Sequence, residues 1–186
     1  ALYNLAERER LVADPDFPLA PVARLVTVSR TGRILGISDT RAPAPGEEKK
    51  KPKLIPKNFP VPRPPGRTSG RKAFFFVDKS EYALGVEAGV EGSTMRTSDE
   101  LAARFALFRD QIRSCVRATN DAGATAVLTA LEEVATVEQK VVLPDDCARN
   151  DLFGFIYEPD GDLLAHQRPA VQKYWHAQRL ETEESR

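Results

Sequence analysis

Six prolines fall within fourteen positions, at Pro52, Pro56, Pro60, Pro62, Pro64 and Pro65. Each fixes φ at about −65° and pushes the residue before it toward an extended conformation. Residues 52–65 are therefore read as a stiff, extended strip and not as a floppy tail. The same stretch gathers the positive charge of the chain. Lys49, Lys50, Lys51, Lys53, Lys57, Arg63, Arg67, Arg71 and Lys72 are nine basic residues in 24 positions with no acid among them, although the whole chain is formally neutral. The other 162 positions hold 18 basic and 27 acidic residues, a net of −9. Cations collected into one segment of an otherwise acidic chain are the electrostatic footprint of a polyanion site.

A stiff strip costs less entropy to order on a ligand than a Gly/Ser chain does, and it spaces its cations at intervals comparable with those between phosphates. A solvated linker has a similar composition and stands as the plainer alternative. Two features argue for a site. Leu54, Ile55, Phe59 and Val61 are interspersed as apolar anchors, and the run closes on Arg67-Thr68-Ser69-Gly70-Arg71-Lys72, where small residues let backbone approach a ligand closely.

At 186 residues and 41% hydrophobic, the chain can bury one core, or one core and a subdomain. It has no run of about 18 apolar residues and its charged first residues are not a secretory signal, so no membrane association is expected. Cys115 and Cys147 are too few for a disulfide framework and are read as reduced packing residues of a cytoplasmic protein. The chain starts with Ala and ends in a charged run, and is expected to be a fragment of a longer protein.

The pattern predicts an α+β fold: antiparallel β-hairpins and a small sheet, a helical-hairpin subdomain and a C-terminal helix. Three parts are expected, 1–96 with the basic strip at 49–72, 97–137 as the helical hairpin, and 138–186. Leu2, Leu5 and Leu11 suggest a short amphipathic helix. Leu25–Ser29 and Ile34–Ile37 flank Arg30-Thr31-Gly32-Arg33 as a hairpin with Gly32 at positive φ. Ala73–Val77 reads as a buried strand; with Phe75 facing outward it would instead offer a stacking surface to bases. Thr97-x-x-Glu100 is a capping box opening a helix striped by Leu101, Phe105, Phe108, Ile112 and Val116, and a second helix follows from about Gly123 to Val134. Arg104, Arg109, Arg113 and Arg117 lie on the other faces of the first of these, solvated or in contact with nucleic acid. A second hairpin is expected from Leu152–Tyr157 and Leu163–Leu164, and a last helix from Pro169.

Catalytic chemistry is not expected. Cys147 or Ser114, His166 or His176, and Asp160 or Asp162 would be the parts of a hydrolase, but no nucleophile elbow is present and the two Asp residues suit a turn around Gly161. The histidine and cysteine spacings match no zinc site, Asp160-x-Asp162 lacks the rest of a calcium loop, and Gly-Arg-Thr-Ser-Gly-Arg-Lys is no nucleotide loop. No metal and no cofactor are expected.

Two stretches resemble the large subunit of the type I-C CRISPR Cascade surveillance complex. One runs from Arg67-Thr68-Ser69-Gly70 through Phe74 and Phe76 to Asp78 and Tyr82-Ala83-Leu84-Gly85; the other runs from His166-Gln167-Arg168-Pro169 to Tyr174-Trp175. The resemblance implies the N-terminal part of a longer, non-catalytic subunit. Such a subunit recognises the protospacer-adjacent motif in double-stranded target DNA and aids opening of the duplex, beside CRISPR RNA and other Cascade subunits, and permits recruitment of a separate helicase-nuclease. The stretch from Ala42 to Lys53 is longer than the family pattern, which weakens the case for Lys49, Lys50 and Lys51 relative to Arg67, Thr68, Ser69, Gly70, Arg71 and Lys72. In this reading the cations supply sequence-independent attraction, and Asn58, Thr68 and Ser69 address base edges. A stand-alone RNA-binding or ribonucleoprotein assembly module is the competing reading, because the same strip suits an RNA backbone.

Overall fold

The computed structural model describes residues 14–46, 51–66, 70–89 and 96–185. The helix expected over Leu2, Leu5 and Leu11 lies outside them. In chain order the elements are β1 (Leu19–Val22), β2 (Arg24–Val28), β3 (Ile34–Asp39), β4 (Ala42–Pro43), β5 (Leu54–Ile55), β6 (Lys57–Pro60), β7 (Asp78–Lys79), α1 (Ser80–Ala83), α2 (Ser98–Thr119), α3 (Ala122–Ala135), β8 (Leu152–Tyr157) and α4 (Pro169–Glu184). Single 3-10 turns cover Glu158–Asp160 and Ala165–Gln167. The architecture is α+β, and among the described residues no helix is long and apolar enough to cross a membrane.

The β2–β3 hairpin forms as its alternation predicts, with Val26 opposite Ile37. Its turn needs Gly32 at φ +84°, and a Cβ there would sit 2.7 Å from the Thr129 methyl on α3. The buried side chain of Gln139 stitches this turn in place: its Nε2 donates to the Gly32 carbonyl at 2.7 Å and its Oε1 accepts from the Ile34 N–H at 2.8 Å. β2 also pairs in parallel with β8, Val26 opposite Phe155, and β8 pairs antiparallel with β7, so the sheet order is β3-β2-β8-β7.

Period-2 alternation gives this sheet two apolar faces. Val26, Val28, Phe153, Phe155 and Tyr157 join the main core with Phe105, Phe108 and Ile112 of α2, Val127 and Leu131 of α3, and Val171 of α4. Leu25 joins a second, smaller cluster with Val22, Val61, Val77 and Leu164, against which Phe59 and Ile156 pack. Gly154 leaves the space this cluster occupies, since a Cβ there would meet Leu25, Leu164 and Val22 at 3.2 to 3.4 Å. The molecule is thus layered, with helices on one face of the sheet and the two-stranded ribbon β1–β6 on the other.

The helix ends follow their caps. Thr97 Oγ1 accepts from Glu100 N at 3.2 Å, Asn120 closes α2 in the left-handed region at φ 52°, and Asp121 caps α3 through Ala124 N at 2.9 Å. Pro169 takes the first turn of α4. Cys115 and Cys147 are free and buried.

Two expectations are corrected. Ala73–Val77 is buried, but it is no strand. Asp78 is fully buried and its carboxylate accepts from the N–H groups of Phe74 and Lys79, each at 2.8 Å, which folds the run back on itself and holds Phe76 at φ 59°. Only Asp78–Lys79 continues as strand. Phe75 does not face outward either: it is 2% exposed and stacked on Trp175, ring centroids 4.9 Å apart at 11°. The second hairpin is reduced to a single Ile156–Leu164 bridge, because β8 takes β2 and β7 as partners while Leu164 turns into the smaller core.

Gly32→Ala should therefore destabilise the protein by about 1–3 kcal/mol in urea unfolding, from backbone strain and overpacking against Thr129; an unchanged midpoint would show that the hairpin does not dock on α3 as described.

Candidate nucleic-acid interface

The Pro-rich strip reaches the surface in three pieces, each anchored differently. Residues 57–60 form β6, which pairs antiparallel with β1, Asn58 opposite Pro21 and Lys57 opposite Val22. Both strands carry proline, which a two-stranded ribbon tolerates because each strand keeps an open edge. Lys57 and Asn58 are exposed, while Phe59 and Pro60 are half-buried, Phe59 against the smaller cluster. The Lys57 ammonium stands 5.2 Å over the Phe59 ring, an arrangement in which the stem covers apolar surface and the charge stays in water.

Before β6, β4 and β5 pair as a short ribbon whose four residues are all exposed. Its root is fixed at Thr40, whose N–H donates to Ala23 O at 3.0 Å and whose hydroxyl donates to Val22 O and accepts from Lys57 N. Beside the root, the buried Arg24 lies 3.0 Å from Asp146 and 3.5 Å from Asp39, and Arg41 bonds both carboxylates from outside. The Arg41 side-chain bond holds the Asp39 carboxyl down to a pKa of about 2. These two arginines are matched by two acids; among the described residues, Lys51, Lys53, Lys57 and Arg71 are not.

Beyond β6, Val61 N donates to Pro18 O and Arg63 N to Asp16 O, both at 2.9 Å. Two further ties hold this stretch. His166, 1% exposed, has Nε2 2.6 Å from the Pro60 carbonyl and stacks at 6.4 Å on Phe17. Trp175 Nε1 donates at 3.1 Å to the same Asp16 carbonyl that Arg63 N reaches, and the Asp16 carboxylate faces His176 Nδ1 at 2.8 Å and Arg179 Nε at 3.4 Å. The histidine-to-tryptophan stretch is thus the clamp that fixes residues 60–63 of the strip.

Of the expected site residues, Lys51, Lys53, Lys57, Asn58, Arg63, Gly70, Arg71 and Lys72 are exposed. Lys49, Lys50, Arg67, Thr68 and Ser69 lie outside the described residues. Lys51, Lys53, Lys57 and Arg71 enter no ion pair among the described residues. The arginines of α2 are differently placed: Arg104 donates to Tyr82 Oη at 2.8 Å, Arg109 lies 4.7 Å over Phe105, and Arg113 bonds Asp110 and Glu132. Three of the four are occupied within the fold, and of the four Arg117 alone is exposed.

Most parts of the hydrolase alternative are engaged elsewhere. His166 is held on Pro60, His176 on Asp16, Asp160 on Arg168, and Ser114 Oγ donates to the Asp110 carbonyl at 3.1 Å. Burial raises the Cys147 thiol and pushes that of Cys115 up to about 11, the opposite of an activated nucleophile. Asp14, Asp16 and His176 place one ligand atom each within 4.8 Å of one another, a grouping the sequence spacing hides because its members lie at opposite ends of the chain. Their atoms are engaged within the protein: His176 Nδ1 lies 2.8 Å from Asp16 Oδ2 and Nε2 lies 3.5 Å from Asp14 Oδ2, and the Arg179 guanidinium already occupies the other Asp16 oxygen.

The family model described as CRISPR-associated protein (Cas_Csd1) matches residues 2–186. The chain belongs to this family. A comparison with curated protein sequences finds no match. In this Cas_Csd1 chain both stretches singled out by resemblance perform structural work that the sequence does not spell out. Asp78 builds the aromatic turn, Gly85 at φ 69° gives way to Phe105, and Arg168 bridges Asp121 and Asp160 over the Tyr157 ring, with Gly123 leaving room for its side chain. The residue that sequence reasoning missed is Asp16, whose only signal is its place between two prolines, in Asp14-Pro15-Asp16-Phe17-Pro18.

Burial pushes the His166 pKa down to about 4 from 6.5. The unfolded chain then binds the proton first as pH falls, so stability should be full above pH 6.5 and decline by on the order of 3 kcal/mol between pH 6.5 and 4. Urea unfolding across that range should show this loss, and His166→Asn should remove its contribution; a wild-type profile that is flat from pH 6.5 to 4 would contradict the buried neutral imidazole.

Proposed function

We propose that this chain is the N-terminal, non-catalytic part of the large subunit of a type I-C Cascade complex, and that its Pro-rich strip contacts double-stranded target DNA at the protospacer-adjacent motif and aids opening of the duplex. CRISPR RNA, the other Cascade subunits and a recruited helicase-nuclease are its partners in this reading. The observation that carries it is β6: Lys57 and Asn58 stand exposed at consecutive positions of a strand whose next residues are locked by His166 and Asp16. Family membership supports the RNA-guided setting.

The chemistry divides the labour. Lys51, Lys53, Lys57 and Arg71 carry charge without an acidic partner among the described residues, and flexible cations sense phosphate whatever the sequence. Asn58 offers a directional amide that pairs with adenine edges in the major groove or with minor-groove acceptors, and a wrong base leaves its bonds unmade. A backbone fixed at both ends of β6 aims that amide without first ordering a loop.

In the assembled complex, replacing Lys51, Lys53, Lys57 and Arg71 together by Ala should weaken correct-motif and scrambled-motif duplexes alike and flatten the log affinity against log salt slope by about 3 to 4. Asn58→Ala should instead narrow the ratio between the two duplexes, by on the order of 1 to 3 kcal/mol of discrimination. An unchanged slope would place the DNA site elsewhere. Binding of double-stranded RNA as tightly as correct-motif duplex DNA, with no motif preference, would favour an RNA-binding module.

A further inference from the structure

The strip ends beside a cleft that the duplex reading leaves unused. Two adjoining hollows, of 330 and 410 Å³, share Pro65, Ala73, Gln111 and Ser114 and run between residues 63–65 and 71–75, α2 and α4. Trp175 and Tyr174 line the first, with Gln178 and Arg179; Arg71 and Lys72 line the second. The indole of Trp175 is immobilised before any ligand arrives, because the buried Phe75 stacks on it and Asp16 holds its N–H. Gln111 donates Nε2 to the Ala73 carbonyl at 2.6 Å, which fixes its amide at the boundary of the two hollows. Arg63, Arg71, Lys72 and Arg179 border the cleft; Arg179 is turned to Asp16, and the one acid among the lining residues, Asp110, is paired with Arg113.

We propose that this cleft holds an unstacked nucleotide of a single nucleic-acid strand, its base against the aromatic wall of Trp175 and Tyr174, its phosphates toward Arg63, Arg71 and Lys72. A pre-set aromatic surface and cations beside it are the two elements by which proteins hold single strands without a fixed sequence, and the fixed Gln111 amide stands between them. An acidic peptide would use the cations but gain little from the ring wall, and an apolar peptide would gain nothing from the cations. The inference rests on the nucleic-acid reading of the strip, and it assigns the destination of a strand released where the strip meets a duplex.

Trp175 is the only tryptophan of the chain, so its fluorescence reports on the cleft directly. Titration with an eight-nucleotide oligo(dT), and in parallel oligo(rU), should quench it saturably. Arg71→Glu combined with Gln178→Glu, at positions that make no described tertiary hydrogen bond, should weaken this quenching by about tenfold or more while the thermal melt stays in place. Absence of quenching by both oligonucleotides, quenching unaffected by the charge variants, or quenching by oligoglutamate alone would overturn the proposal. Anisotropy of an end-labelled duplex separates it from the strip reading. Duplex binding that responds to Lys53→Ala/Lys57→Ala without oligonucleotide quenching sinks the cleft alone, whereas quenching as expected with duplex binding indifferent to those lysines sinks the strip and leaves the cleft standing.

Discussion

One carbonyl and one carboxylate, both of Asp16, join segments that the sequence keeps far apart. The carbonyl accepts from the backbone of Arg63 and from the indole of Trp175; the carboxylate faces His176 and Arg179. With His166 on the Pro60 carbonyl, this places the C-terminal helix behind the Pro-rich strip as a fixed support. A proline-rich segment has few backbone donors with which to join a sheet. Its position must therefore come from its carbonyls and from the few N–H groups that remain, and Val61 and Arg63 provide them.

Charge follows the same division between support and surface. Where the strip leaves the fold, each cation has an acid: Arg24 and Arg41 share Asp39 and Asp146. Farther out, Lys51, Lys53, Lys57 and Arg71 have none among the described residues. A buried arginine without counter-charge would cost several kcal/mol, so pairing at the root is a structural necessity. Exposed lysines cost nothing to leave unpaired and lose little hydration on meeting phosphate. The distribution fits a surface kept available for a polyanion.

Much of the fold could be read directly from local pattern. The β2–β3 hairpin, the Thr97 cap that opens α2, and Pro169 at the head of α4 follow from residue types at fixed spacings. What could not be read is long-range. The parallel pairing of β2 with β8 and the ribbon of β1 with β6 join segments with no periodic signal in common, and prolines in both β1 and β6 obscure their strand character. The aromatic run misleads for a local reason: a single buried carboxylate, Asp78, outweighs the strand propensity of three phenylalanines by bonding Phe74 N. In the candidate interface, residue types along the strip nominate the cations and Asn58, but not the support behind them, because Asp16 takes its role from geometry and not from any motif.

The central claim is that the anchored strip faces the duplex at its adjacent motif. Ile55 is 48% exposed between Lys53 and Lys57 and is neither charged nor polar, so a photo-reactive residue there probes the strip without removing a proposed contact. Leu35, 55% exposed at the far end of β3, is the control. In the assembled complex on target duplex, irradiation should link position 55 to nucleotides within or next to the motif and leave position 35 unlinked. Linkage from position 35, or from position 55 only to guide RNA or a neighbouring subunit, would contradict the account.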